Sequence, residues 1–255
     1  MANAFEIECA GYSINADWYE GQKSDRVILI LQGFMSSRSR QADFINSIVD
    51  STGASAMVID YTGHGESPFE LKDTRPAQHV IEVVYAFEWL QINHPNAKIT
   101  VIGNSYGSFL ASHLTHYKNF DTLILRAPAI YMPGSFFDLW SLRFDDEDAY
   151  RRSIQSYRTD SALLINNPLL RKKDIQFSGK VLVVIHEHDE IIPRQTSDAY
   201  IEAYCADSFI AEGFSHAASQ SDISKEQIIE YYKKISDWLN VGYRVLEEKK
   251  PLEYF

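Results

Sequence analysis

Residues 98 to 107 constrain this chain more than any other stretch. Lys98-Ile99-Thr100-Val101-Ile102 is short, apolar and β-branched, and it runs through Gly103-Asn104-Ser105-Tyr106-Gly107 into a pattern with Phe109, Leu110, His113 and Leu114 on one helical face. A G-x-S-x-G turn joining a buried strand to a helix holds its serine in a strained backbone conformation and lifts the hydroxyl clear of the sheet edge. Residues without side chains on either side leave room for it. The pentapeptide alone also matches ordinary Gly/Ser turns, so its surroundings decide how it is read.

Those surroundings alternate between strand and helix. Phe5 to Cys9 and Tyr12 to Tyr19 read as an opening antiparallel hairpin. Apolar runs follow at Val27–Leu31, Ala56–Asp60, Leu123–Leu125, Val181–Ile185 and Ser208–Ala211. Helical patterns lie between them, near Arg40–Val49 and from Pro76 to Ile92, the latter with Val80, Val83, Val84, Phe87 and Leu90 on one stripe. This grammar predicts an α/β fold: a mostly parallel twisted sheet with right-handed crossovers and helices on both faces, preceded by an antiparallel hairpin. One segment, residues 130–174, lacks a clean strand and reads as a helical cap inserted into a single domain spanning residues 1–255. Its Phe136, Phe137 and Trp140 are candidates to line an apolar substrate pocket, against the alternative of a cover packed on the sheet. Gly242 to Phe255 reads as a loosely packed tail.

Composition narrows the partners. With 24 Lys and Arg against 35 Asp and Glu, the formal charge is −11, a field that repels nucleic acid and anionic membranes. No apolar run approaches the roughly 18 residues of a membrane span. The N-terminus lacks a basic start followed by an apolar stretch, so a cytoplasmic location is the default expectation. Cys9 and Cys205 lie far apart without metal spacing and read as free thiols.

A serine hydroxyl becomes a nucleophile only with a base in reach and a third group to orient that base. After an elbow of this kind the chain order is Ser, acid, His, with the acid beyond a late strand and the base beyond the last one. Val181–Ile185 runs into His186-Glu187-His188-Asp189-Glu190-Ile191-Ile192-Pro193, where Asp189 is the preferred acid and Glu187 and Glu190 compete. Beyond Ser208–Ala211, a glycine-containing loop, Glu212 to Ala217, delivers His216 as the candidate base. The oxyanion donors expected are the amides of Tyr106, after the serine, and of Phe34, after Gln32-Gly33. Metal ligation at His186-x-His188-Asp189 or at His113 and His116 is a competing reading without a second ligand cluster. Asp60 to Pro68 reads as a flexible loop that lacks the spacing of a phosphate cradle.

Together, Gln32-Gly33-Phe34, Asp60-Tyr61-Thr62-Gly63-His64-Gly65-Glu66-Ser67, the elbow, His188-Asp189 and His216 resemble the α/β-hydrolase superfamily from about Val27 to Leu239. The Asp60 to Ser67 loop and Ala127-Pro128-Ala129 are most similar to the cinnamoyl or feruloyl esterase and acylglycerol lipase group. Gln32 departs from the histidine common there. The resemblance implies cofactor-free hydrolysis of a small-molecule ester or thioester, with the insertion as a cap. A thioesterase or acyltransferase would use the same residues, and a catalytically silent binding protein would share the fold. Substrate and oligomeric state are open at this level.

Overall fold

Ala10 and Gly11, with φ of 49° and 95°, turn the chain back on itself, so that β1 (Asn3–Cys9) pairs antiparallel with β2 (Tyr12–Tyr19). From there a computed structural model, describing residues 2–217 and 223–248, shows strand, crossover, strand. The further strands are β3 (Lys23–Leu31), β4 (Ala54–Ile59), β5 (Lys98–Asn104), β6 (Thr122–Arg126), β7 (Lys180–His188) and β8 (Asp207–Ser215). Among the described residues they form one eight-stranded sheet in the order β1-β2-β4-β3-β5-β6-β7-β8. β2 is antiparallel to β1 and β4, and the strands from β4 to β8 are mutually parallel.

The near-continuous apolar runs of the central strands are explained by burial on both faces. Val27, Leu29 and Leu31 face α2 (Pro76–Asn93), α3 (Tyr106–Leu114) and α7 (Arg194–Tyr204), whereas Ile28 and Ile30 face α1 (Ala42–Thr52) and α8 (Lys225–Glu248). Each such side chain contributes about 1.5–3 kcal/mol when fully buried. α2 begins with Pro76, whose missing N–H costs nothing in a first turn, and α1 is closed by Gly53 at φ 73°, its amide bonded to Val49. Between β6 and β7 lie α4 (Ser141–Asp145), α5 (Glu147–Thr159) and α6 (Ser161–Leu164), with no strand.

Two expectations from sequence are corrected. Glu212 to Ser215 is strand, not loop: β8 runs to Ser215 across a bulge against β7, where His186 pairs with Ala211 and His188 with Ser215. Gly213, at φ 78°, marks that bulge. At the other end α8 continues through Glu248, so that part of the expected loose tail is helical, and the remainder of that tail lies outside the described residues.

Candidate active site

Ser105 sits at φ 51° and ψ −112°, between the last residue of β5 and the first of α3. Such a backbone costs on the order of 1–3 kcal/mol and persists only when its surroundings hold it. Here the Ser105 amide donates to Arg126 at 2.8 Å, and its carbonyl accepts from Ser108 at 3.0 Å and Ala129 at 3.2 Å. The flanking glycines answer to crowding: a Cβ on Gly107 would lie 2.0 Å from the Leu31 carbonyl oxygen, and one on Gly103 2.5 Å from that of Gly107.

β7 and β8 end side by side and bring the other two candidates to the serine. His216, the first residue after β8, places Nε2 2.9 Å from Ser105 Oγ and Nδ1 2.9 Å from both carboxylate oxygens of Asp189. The carboxylate accepts from Nδ1–H, which leaves Nε2 to accept the serine proton. Asp189 is itself fixed by amides of its own turn, from Ile191 at 2.9 Å and Ile192 at 2.7 Å. The competing acids have other work: Glu187 accepts from the Gly213 amide at 2.8 Å and Glu190 from the His216 amide at 3.1 Å, so both fasten β7 to β8.

Beneath this lies a relay that the sequence did not reveal. Arg126 Nε donates to the Tyr231 hydroxyl at 2.7 Å, that hydroxyl lies 3.1 Å from His186 Nε2, and His186 Nδ1 lies 2.9 Å from the Ser215 carbonyl. Burial, reinforced by the nearby Arg126 charge, pushes the His186 imidazole down to about 4, so it is neutral. The neutral ring donates through Nδ1 to Ser215, the residue before His216, and accepts from Tyr231. With both nitrogens engaged, His186 is no metal ligand. His113 is half-buried between Phe109 and Phe136, and its desolvation pushes it down to about 3. Among the described residues no group of three His, Cys, Asp or Glu converges as a metal site.

At the C-terminal end of β3, Gly33 lies against the elbow: a Cβ there would meet Asn104 Nδ2 at 3.4 Å and Ser105 Cβ at 3.7 Å. Phe34, the next residue, lines the same cleft as Gly33 and Ser105. Tyr106 opens α3, where amides have no partner within the helix. Its side chain is fully buried, the hydroxyl 2.8 Å from His79 Nδ1.

The Asp60 to Pro68 segment corrects another expectation, because it is pinned rather than flexible. Asp60 Oδ1 accepts from Gln32 Nε2 and the Arg38 amide, each at 2.9 Å, and Oδ2 from Arg38 Nε at 2.9 Å and the Glu66 amide at 3.2 Å. Gly65, at φ 55°, packs so closely that a Cβ would fall 2.2 Å from the Asp60 carboxylate. Gln32 thus serves this knot, its side chain turned to Asp60.

A cleft of about 910 Å³ opens over Ser105 and His216. Phe136, Phe137 and Trp140 do not line it. Phe136 stacks on His113 and Trp140 is buried against Phe34, Tyr106 and Tyr131, so these two rings hold residues 130–174 to the scaffold, whereas Phe137 is 71% exposed. The cap wall consists instead of Arg143, Tyr150, Arg151, Ile154, Gln155 and Arg158. The missed signal was the spacing of Tyr150, Ile154 and Arg158, which places them on one face of α5.

Residues 22–216 match the family described as serine aminopeptidase, S33. Among solved structures, the chain is similar to the esterase Pf2001 of Pyrococcus furiosus, at 18% identity over 94% of this chain and 91% of that one with a TM-score of 0.67. It is also similar to Est1E of Butyrivibrio proteoclasticus, solved with ferulic acid bound, at 18% identity over 91% of this chain and 97% of that one with a TM-score of 0.66. An α/β serine hydrolase homologue from Coxiella burnetii aligns at 15% identity, covering 93% of this chain and 97% of that one, with a TM-score of 0.66. No curated protein matches the sequence.

Proposed function

The chain belongs to the serine aminopeptidase S33 family of hydrolases, and from that premise we propose that it cleaves carboxylic esters through Ser105, His216 and Asp189. The observation that carries this reading is the unbroken pair of 2.9 Å contacts from Ser105 Oγ through the His216 ring to Asp189, at an elbow held in a strained conformation. Ser105 Oγ attacks the ester carbonyl while His216 Nε2 takes its proton, and Asp189 stabilises the imidazolium that forms. The carbonyl oxygen, now negative, accepts from the Phe34 and Tyr106 amides. Collapse expels the alcohol, which receives the proton from His216 and leaves an acyl-Ser105. Water, deprotonated by His216, then cleaves that second ester and releases the acid. As the acid leaves, His216 returns its proton to Ser105 Oγ, so that apart from substrate and water every group used belongs to the chain.

An ester is favoured over a peptide N-terminus by charge. Arg143 and Arg158 stand in the cleft wall without a carboxylate partner among the described residues and would repel an α-ammonium group. Phe34, Phe44, Tyr131 and Ile154 supply apolar surface for an aryl or aliphatic acyl group. A fluorophosphonate probe read by mass spectrometry tests the assignment: one label per chain on Ser105 is expected, and a folded protein that stays unlabelled refutes it.

A further inference from the structure

In the cap wall of the cleft Arg151 pairs with Glu147 at 2.7 Å, but Arg143 and Arg158 have no carboxylate partner among the described residues. Arg143 Nε is buried and has no hydrogen-bond partner, while its guanidinium lies 4.3 Å from the Phe34 ring centre and 5.5 Å from that of Tyr150. The Tyr150 hydroxyl is likewise buried and unpartnered. Arg158 spends Nε on the Ile130 carbonyl at 3.1 Å and Nη1 on the Ile191 carbonyl at 3.4 Å, and no carboxylate among the described residues pairs with it. Gln155 donates through Nε2 to Ile191 at 3.1 Å, and its Oε1 has no partner among the described residues. Asp43 and Glu190 are the carboxylates lining the cleft; Glu190 holds the His216 amide, and Asp43 belongs to α1, outside the cap.

Buried donors in folded proteins are paired, and a guanidinium presents a planar fork that matches two carboxylate oxygens. The rings of Phe34, Phe144 and Tyr150, within 4.3–5.9 Å of the Arg143 guanidinium, restrict it, so little side-chain freedom is lost when it binds. Burial raises the Tyr150 phenol well above its ordinary range, although Arg158 and Arg143 oppose the shift, so the hydroxyl remains a donor at neutral pH.

Resting on the esterase reading above, we infer that Arg143 and Tyr150 form a carboxylate subsite, and that the ester cleaved carries an ionised carboxylate in addition to the bond attacked by Ser105. Arg158 adds positive potential behind it. The substrate class is then the half-ester of a dicarboxylic acid, or an ester with a free acid of similar reach.

Binding to Ser105→Ala, measured by titration calorimetry, separates this inference from turnover. The probes are 4-nitrophenyl hydrogen glutarate and its neutral methyl ester, which differ at the carboxylate alone. The acid is expected to bind about ten- to a hundredfold tighter, the range for a hydrogen bond to a charged group. Adding Arg143→Met should erase that preference and Tyr150→Phe should reduce it several-fold. Arg171→Gln, which removes a charge from outside the cleft wall, should leave the preference in place. Equal affinity for the two probes, or a preference that survives Arg143→Met in a protein of unchanged circular dichroism, overturns the subsite whether or not Ser105 is catalytic. Failure of Ser105 to take a fluorophosphonate would overturn the esterase reading instead, and the calorimetric comparison would still decide the subsite.

Discussion

Two arginines near the candidate serine have opposite surroundings. Arg38, on the scaffold, is buried among Asp17, Asp60 and Glu66, with Nε 2.9 Å from Asp60 and Nη2 2.7 Å from Glu66. Arg143, on the cap, meets rings in place of carboxylates. A buried cation whose complement comes from its own chain ties loops together: Arg38 joins β2, the end of β3 and the Asp60 turn. A cation left without a complement at a cleft is available to a ligand. The comparison teaches that residue type says little about role, and that the partner supplied by the fold says most.

Its premise is that the cleft over Ser105 is the reacting centre, which Ser105→Ala tests with the largest expected effect. Loss of about 10⁶-fold in kcat is anticipated by analogy with serine hydrolases, measured with a 4-nitrophenyl ester. Residual turnover near wild type would remove the centre from this place. Asp189→Asn should lower kcat by about 10⁴-fold, since the histidine would take the wrong tautomer, whereas Glu190→Gln should cost far less. Equal losses in the two variants would reassign the acid.

Stability separates the two arginines next. Arg38→Met leaves Asp17 and Asp60 without their cation and should lower the free energy of unfolding by about 3–5 kcal/mol in urea titrations. A loss under about 1 kcal/mol would show that the scaffold knot is not structural.

Acid should weaken the scaffold through its buried imidazoles. Burial holds His64 and His186 down at about 4, and His79 well below its ordinary value. In the unfolded chain these rings take up protons near pH 6.5, so native stability is fully present above that value and is lost as pH falls toward 4. The slope is about 1.4 kcal/mol per pH unit for each such histidine. Urea midpoints that stay constant from pH 7 to 4.5 would contradict this. The smallest effect belongs to the cap: Arg143→Met should change unfolding free energy by no more than about 1 kcal/mol, the scale of the cation–π stacking it removes.

Much of the architecture was legible in the chain because buried parallel strands write themselves as apolar runs and amphipathic helices as stripes. The elbow was legible as well, since Gly103 and Gly107 stand where another backbone comes within 2.0–2.5 Å of a would-be Cβ. Which side chains of residues 130–174 face the cleft was not legible, for a physical reason. Aromatic content marks apolar surface without saying which surface it covers, and Trp140 is spent on Phe34, Tyr106 and Tyr131.

By itself the sequence determined the strand and helix order, the strained serine between its glycines, and the small set of acids and histidines that strand ends could deliver to it. Only the tertiary structure brought Asp189, rather than Glu187 or Glu190, against the His216 ring, turned His186 into a support for Ser215, and gave Arg38 its carboxylates while setting Arg143 among rings, without a carboxylate among the described residues. The reason is that local pattern sets which way a side chain leaves the backbone, whereas partners come from segments distant in the chain, such as Asp17 and Asp60 around Arg38, and are settled by how sheet and helices pack.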